Sequence, residues 1–514
     1  MGCPMSRSGA RSSIPVLLLA ALYFSSCSGP KTTVVSPGGN GSVAVTMVAD
    51  TLPVNPSLLT FQVTIASIKF TTSTGTSTTV NLNPALTVDL MRLQTDTAFL
   101  GLFPNIPAGQ YTSVTVFFSG NANITFLNDT SFTLSGCLAS HICPLSVAVS
   151  SNPVATVPFT VSQNVVTGIG IDLNFFNALS ISGSPASLVV NFNNPNVLSA
   201  FTLPRPNSNL AAGQLALIED FTGVVSISNQ SVTLTSATAT GRGSLTASAS
   251  AGTFYDPDPT GTHCPIGTTQ LTSCVSNGQF ASMDVALLSD GTFALLEIEP
   301  LLATLQDTVE GTVVAINPSA LTQQFTLVVT NLIPAAQNSL IGSLRVGDAL
   351  TVNLSTSVFP FLVDQKGLPV QINFPGIFQN FFGQTTTSAI HLGQSVAVHV
   401  TAPFTAAFGS TIASSFADTV TLRWSRFTAR PQTAASPAFN IVNLPFYFGF
   451  PPASFFTVQT FLGTFGSARV TNFEGVLDGS GLNLAKPVAI RALFLENTTN
   501  SASPVFFAAK VRQF

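Results

Sequence analysis

The stretch GSVAVTMVAD, residues 41–50, decides the fold class, because its apolar side chains recur at every second position. Val43, Val45 and Met47 share one side of the pattern, and FQVTIASIKF, residues 61–70, repeats it. Strict alternation in short runs bounded by Asn, Gly and Pro is typical of half-buried antiparallel strands. The sequence therefore predicts an all-β protein.

The strand pattern predicts several separate units along the chain. Only Leu90–Leu102 has a pattern that would suit a short helix. A stiff connector, Leu203–Asn207, divides an N-terminal β-sandwich from two or three small barrels or sandwiches. The predicted segments are a signal peptide (1–27), a flexible tether (28–41), the sandwich (42–201), a linker (202–212), a small β unit (213–303), a second with a Phe/Pro-rich insertion (304–424) and a C-terminal β unit (425–514).

Weak internal repetition supports the small units. Phe221–Ile227 is echoed by Val309–Ile316, and Gly347–Val352 is similar to Gly393–Val398. Gly-Asp and Asp-Gly before alternating residues favour hairpin turns. We therefore expect related β units in the second half of the chain.

Composition excludes some classes of function. Charged residues make up 7% of the 514 residues and the net charge is −4, whereas about 25% of a typical soluble domain is charged. Phosphate binding needs several cations on one face, so we expect no nucleic-acid partner. Few charges also predict a stability that changes little with pH.

The N-terminus has the pattern of an export signal. Basic Met1–Arg11 precedes the apolar run Ile14–Phe24, and Ser25-Ser26-Cys27 follows. This ending resembles the lipobox of bacterial lipoproteins, which implies acylation of Cys27 and a membrane anchor. Ordinary secretion, with Cys27 unmodified, is the alternative.

The other cysteines form two local pairs, Cys137 with Cys143 and Cys264 with Cys274. An even, locally paired set in an exported chain predicts disulfides. A zinc site that includes His141 and His263 is the alternative, but zinc sites favour closer cysteine spacing. We predict no metal and no cofactor.

Two family resemblances follow from short segments. Gly41–Asp50, Phe61–Phe70, Val88–Leu90 and Ile106–Tyr111 resemble, in that order, the domain of unknown function 4382. This likeness covers about residues 41–201 and implies an exported lipoprotein β-sandwich, in which Tyr111 packs under a strand and Gly109 is free to adopt a positive φ. The C-terminal part resembles, more faintly, the small barrels of the domain of unknown function 5666. Neither resemblance implies a catalytic residue.

Few carboxylates are arranged as catalysis would need. Glu297 and Glu299 lie two residues apart, so they share one face of a strand at roughly 7 Å, and glycosidases use such pairs. Asp256 and Asp258 lie in a Pro-rich loop that we expect to be solvated, since a calcium loop needs more ligands. We find no nucleophile elbow and assign His399 a structural role. No catalytic residue is predicted.

Two stretches are rich in Phe and Pro, Val358–Phe382 and Leu444–Phe465. Repeated Pro predicts loops or edges, and these large apolar side chains either cover the core or form a contact surface. The candidates for an interaction surface are Phe374, Phe378, Phe446, Phe448, Phe450, Phe455 and Phe456.

These observations predict a non-catalytic, lipid-anchored protein of the bacterial cell envelope, at the outer membrane, with a binding, adhesion or structural role. Its expected partners are the membrane, through the N-terminal lipid, and a protein or glycan ligand. The alternative is a secreted polysaccharide-acting hydrolase or a carbohydrate-binding protein. One Trp and four Tyr give little aromatic surface for glycan stacking.

Overall fold

A computed structural model gives the fold, and the residues it describes are limited to defined ranges. Cys27, Asp258 and His263 lie outside them. The described residues are 39–50, 58–128, 137, 141–149, 152–182, 187–206, 208–236, 243–257, 264–265, 267–301, 307–317, 323–335, 338–342, 344–355, 357–403, 412–463, 470–497 and 504–514.

The N-terminal unit is built from two sheets, and the all-β class is confirmed. One sheet has the order β11-β8-β1-β4 and the other β3-β2-β5-β6, with β7 also paired to β5; β9 and β10 form a separate hairpin. The strands are β1 (Asn40–Ala49), β2 (Leu58–Thr72), β3 (Ser77–Asp89), β4 (Ala98–Pro107), β5 (Gly109–Leu127), β6 (Ile142–Ala148), β7 (Val154–Val161), β8 (Val166–Leu173), β9 (Leu179–Ser182), β10 (Ser187–Val190) and β11 (Leu198–Thr202).

Alternation places the core between these two sheets. In β7 every second residue is buried, so Val157, Phe159 and Val161 point inward. They pack with Met47 and Phe61 in one apolar cluster that both sheets share. Burial of each Phe contributes about 1.5–3 kcal/mol, so this cluster explains why the period-two pattern specifies a sandwich.

The turn before β5 is partly as expected. Tyr111 is buried, its hydroxyl donates to the Pro107 carbonyl at 2.8 Å, and its ring stacks on Phe159 at 5.1 Å. Gly109, however, has no positive φ, and a Cβ there would meet open space. Nothing in the structure therefore requires glycine at this turn.

Three six-stranded sheets with one strand order follow the sandwich. The orders are β14-β13-β12-β16-β17-β15, β20-β19-β18-β22-β23-β21 and β26-β25-β24-β28-β29-β27. We call these units barrels 1, 2 and 3. Barrel 1 comprises β12 (Gln214–Ser228), β13 (Ser231–Thr235), β14 (Ser244–Ser248), β15 (Phe254–Tyr255), β16 (Phe280–Leu288) and β17 (Phe293–Pro300).

The other two barrels repeat this plan. Barrel 2 comprises β18 (Thr308–Asn317), β19 (Gln324–Ile333), β20 (Ala349–Leu354), β21 (Leu362–Val363), β22 (Ser395–Val400) and β23 (Ala413–Arg423). Barrel 3 comprises β24 (Ser425–Pro431), β25 (Ala438–Val442), β26 (Phe456–Gln459), β27 (Asn472–Glu474), β28 (Val488–Leu495) and β29 (Val505–Arg512).

A parallel pairing between the third strand and the last long strand closes each sheet on itself. In barrels 2 and 3 several consecutive residues pair, β20 with β23 and β26 with β29. In barrel 1 a single pair, Ser248 with Ala294, makes this connection. Closure removes the exposed strand edges that invite aggregation.

One of the two sequence repeats reflects this plan. Phe221–Ile227 and Val309–Ile316 lie in β12 and β18, which occupy the same position in barrels 1 and 2. Gly347–Val352 and Gly393–Val398, by contrast, belong to different strand positions of barrel 2. That second similarity reflects a common turn type and not the repeat.

In the part of the chain that the structure describes, helical structure is limited to single turns. Leu90–Leu102 contains a 3-10 turn at Arg92–Gln94 and then enters β4, so the expected helix is shorter than predicted. No helix in the described ranges has the length and apolar character to cross a membrane. The helices are α1 (Leu271–Cys274), α2 (Val370–Asn373) and α3 (Pro375–Phe378), with further 3-10 turns at Phe175–Ala178, Thr387–Ala389, Phe446–Phe448 and Gly479–Gly481.

Candidate functional site

The most unusual feature of the molecule is a buried cluster of charged side chains at the junction of the three barrels. The chain has 17 basic and 21 acidic residues in all, and a large share of them meet here. The charge cluster consists of Arg92, Asp96, Glu219, Asp220, Asp256, Asp284, Glu297, Glu299, Glu310, Asp364, Lys366, Arg423, Arg426, Glu474, Arg491, Lys510 and Arg512.

Asp220 connects the three barrels within this cluster. A β-bulge at Glu219–Asp220 interrupts β12, and Asp220 has a φ of 51°. Its carboxylate lies 2.5 Å from Lys366 Nζ and 2.8 Å from Arg491 Nη1, and it also contacts Arg426. Burial alone would raise the pKa of Asp220, but these cations hold it well below its usual range.

Barrel 3 contributes mainly cations. Lys510 is fully buried on β29, contacts Glu219 and lies 2.6 Å from Glu474. Arg512, two residues on, lies 2.6 Å from Glu474 and donates to the backbone carbonyl of Leu93 at 2.8 Å. Burial would raise the pKa of Glu474, but Arg512 and Lys510 lower it to about 2. The basic strand thus joins barrel 1 and the sandwich.

Barrel 1 contributes mainly acids. Glu297 and Glu299 share one face of β17, as predicted, and both are buried. Arg423 Nη1 lies 3.3 Å from Glu299, and Lys366 Nζ lies 3.9 Å from Glu297. Burial, reinforced by Asp364, raises the pKa of Glu299 to about 8. Burial likewise raises the pKa of Glu297 well above its usual range.

Asp256 is buried, with 5% of its surface exposed, so the prediction of a solvated loop is wrong for this residue. The reason is that Asp256 directly follows β15, which pairs with β17 and carries it inward. Burial, and then the neighbouring Glu299, raises the pKa of Asp256 well above its usual range. Asp256, Glu299 and Asp364 each place one carboxylate oxygen within 4.8 Å of the others, the one group in the described ranges with the composition of a metal site.

The prediction that stability changes little with pH assumed that few ionisable groups have a shifted pKa. This assumption is wrong. The chain has few charges, but burial brings them together. The pKa values of Asp220, Glu310 and Glu474 are lowered, and those of Glu297 and Glu299 are raised.

Both predicted cysteine pairs lie at disulfide distance. The Cα atoms of Cys137 and Cys143 are 5.7 Å apart, and those of Cys264 and Cys274 are 3.8 Å apart. His399 lies 2.7 Å from Asp418, outside the charge cluster.

The Phe-rich stretches divide between core and surface. Phe378, Phe448 and Phe456 are buried, whereas Phe446 and Phe455 are 47% and 52% exposed. The remaining two candidates are partly buried: the ring of Phe374 lies tilted against Phe507, with ring centroids 4.9 Å apart, and that of Phe450 lies tilted against Phe456 at 4.8 Å.

Sequence reasoning found Glu297 and Glu299 but missed the basic half of the cluster. Its signal was present: Arg491 stands inside VAIRALFL, residues 488–495, where every residue is buried. Lys510 and Arg512 interrupt VFFAAKVR in the same way. A lone charge in an apolar strand indicates a buried partner, because unpaired burial costs too much.

No protein-family model, curated protein or solved structure matches this chain. The resemblances to the two domains of unknown function therefore stay predictions.

Proposed function

We propose that this chain is a non-catalytic, lipid-anchored protein of the bacterial cell envelope, at the outer membrane, with a structural or binding role. In this proposal Cys27 carries the lipid, and the sandwich and barrels follow the tether in the chain. The charge cluster stabilises the packing of the barrels against one another.

The observation that carries the proposal is the inward placement of charge. Among the described residues the exposed charged side chains are few: Asp290, Arg345, Arg430, Lys486 and Glu496. A surface so poor in charge offers partners hydrogen bonds and apolar contacts and gives little electrostatic steering. This favours a structural or binding role over the recruitment of charged substrates.

The state of the carboxylates also supports a non-catalytic role. Glu297 and Glu299 are 3% and 1% exposed and lie near Lys366 and Arg423. A glycosidase pair must reach a sugar on both sides of the scissile bond. The alternative, a polysaccharide-acting hydrolase, is tested on a glycan panel with Glu297→Gln as control; turnover that this substitution abolishes would contradict the proposal.

The anchor is tested by expressing the full chain in a Gram-negative host and analysing the N-terminal peptide by mass spectrometry. We expect a mature N-terminus at an acylated Cys27, in the outer-membrane fraction. Cys27→Ser should abolish acylation, whereas Cys3→Ser, which lies within the predicted signal, should leave it intact. An unprocessed N-terminus in the cytosolic fraction would contradict the proposal.

The binding role is tested at Phe446 and Phe455, the two exposed members of the candidate interaction surface. Phe446→Ser with Phe455→Ser should leave the unfolding midpoint nearly unchanged and reduce retention of envelope components by the purified protein. Leu477→Ser, at a side chain that is 76% exposed, is the matched control. Equal retention by both variants would limit the role to a structural one.

A further inference from the structure

The three barrels place an equivalent pair of side chains at the same point of the fold. A short strand pairs in parallel with the last long strand, at Tyr255–Ile298, Val363–Leu422 and Phe473–Val511. One residue further along both strands of each barrel, an acidic residue on the side of the short strand lies opposite a residue on the side of the last long strand. The resulting pairs are Asp256 with Glu299, Asp364 with Arg423, and Glu474 with Arg512.

Two of these pairs are ion pairs, and one is not. Asp364 Oδ2 lies 2.5 Å from Arg423 Nη1, and Glu474 Oε2 lies 2.6 Å from Arg512 Nε. In barrel 1 the position of the arginine is occupied by Glu299. Two carboxylates therefore meet where the repeat elsewhere places a carboxylate and a cation.

Nearby cations restore the balance only in part, because Arg423 contacts Glu299 and Asp364 but not Asp256. Among the described residues, no Lys, Arg or His side-chain nitrogen lies within 4 Å of a carboxylate oxygen of Asp256. Glu299 Oε1 accepts from Arg423, but Glu299 Oε2 is buried and has no hydrogen-bond partner among the described residues. The Glu299 side chain is 1% exposed, so water does not compensate this oxygen freely.

We propose that Asp256, Glu299 and Asp364 bind one hard divalent cation, with Ca²⁺ as the reference ion, at the position where the other barrels carry an arginine. Three carboxylates and no nitrogen or sulfur ligand form the donor set that Ca²⁺ and Mg²⁺ favour. Ca²⁺ takes six to eight oxygens, and three carboxylates supply up to six. Because Asp364 comes from barrel 2, the ion joins barrels 1 and 2.

The test uses the full chain, stripped with EDTA and titrated with CaCl₂ at pH 8 by isothermal titration calorimetry. We expect one ion per chain, with a dissociation constant of about 10⁻⁷–10⁻³ M, the range of sensor and extracellular sites. Asp256→Asn and Glu299→Gln should each weaken binding at least tenfold. Glu310→Gln also removes a buried carboxylate beside Arg423, but outside the triad, and should retain the affinity.

Thermal unfolding is an independent test, because the difference in melting temperature between Glu299→Gln and wild type should change sign when Ca²⁺ is added. In EDTA, Glu299→Gln should melt at or above the wild-type temperature, because the substitution removes a repulsion. In 5 mM CaCl₂ it should melt below wild type, because only wild type gains from the ion. MgCl₂ in place of CaCl₂ tests the preference between the two ions.

Three results would overturn the site: no binding to the wild type, binding that both triad substitutions leave unchanged, or a Glu299→Gln variant that melts lower in EDTA as well. Should a variant not fold, elemental analysis of the wild type dialysed to equilibrium against 5 mM CaCl₂, compared with the dialysis buffer, decides. One equivalent of retained ion is then the expected result, and none contradicts the proposal.

Discussion

Barrels 1 and 3 have the same strand order but opposite charge at equivalent positions. On the last long strand, Glu297 and Glu299 in barrel 1 correspond to Lys510 and Arg512 in barrel 3. The fold of each barrel depends on its apolar alternation, which both share. The charged side chains vary independently of the fold. They make barrels 1 and 3 electrostatically complementary, although the two barrels share one strand order.

The strongest way to break this complementarity is to remove Asp220, which Lys366, Arg426 and Arg491 share. Asp220→Asn leaves these buried cations without their common counterion, and we expect a loss of about 3–5 kcal/mol in the free energy of unfolding. Urea unfolding at pH 7 measures it. Asp290→Asn, at an exposed turn, is the control and should change the free energy of unfolding little. Equal losses in both variants would show that the cluster contributes little.

Acid should weaken barrel 3 through Glu474. Its pKa is about 2 in the folded state against 4.5 in the unfolded chain, so its contribution is complete above pH 4.5 and is lost as the pH falls towards 2. The span of 2.5 units corresponds to about 3 kcal/mol. The difference in unfolding free energy between wild type and Glu474→Gln should narrow by most of that amount from pH 6 to pH 2.5, because the contribution is lost completely only below the folded-state pKa. A difference that stays constant would contradict the ion pairing of Glu474.

One of the direct links between barrels 1 and 3 is the contact of Lys510 with Glu219. In a double-mutant cycle of Lys510→Met and Glu219→Gln, we expect a coupling energy of about 2 kcal/mol, because the residues are buried and in contact. Lys486→Met, at an exposed position, should show no coupling to Glu219→Gln. Additive effects of the first pair would mean that the barrels do not depend on this contact.

The smallest expected effect lies in the sandwich, where apolar packing dominates. Tyr111→Phe removes one hydrogen bond to the Pro107 carbonyl and should cost about 1 kcal/mol. The loss should be the same from pH 4 to pH 8, in contrast to substitutions in the charge cluster. A loss that varies with pH would contradict the proposed difference between the sandwich and the charge cluster.

Local patterns in the sequence were sufficient for the fold class. The alternation in residues 41–50 and 61–70 predicted strands, and Phe221–Ile227 with Val309–Ile316 identified the repeat. The local cysteine spacing gave both pairs. These features depend on contacts between neighbours in sequence or on a period that any sheet imposes.

The charge cluster could not be predicted in the same way, because its members come from four units. Glu297 and Glu299 were visible as a pair on one face, but their partners Lys366 and Arg423 are remote in sequence. Lys366 comes from the Phe/Pro-rich insertion, which has no regular period. Only the packing of whole barrels brings these groups together, and a single sequence contains no direct signal for that packing.

The long separation of Glu219 and Lys510 has a consequence for biosynthesis. Lys510 follows Glu219 by 291 positions, and a ribosome that adds about 5–20 residues per second needs roughly 15–60 s to cover them. During that interval Glu219 lacks Lys510, although other basic partners of barrel 1, such as Lys366 and Arg426, are made earlier. The contact between Glu219 and Lys510 therefore forms only after β29, the last strand of the chain, has been synthesised.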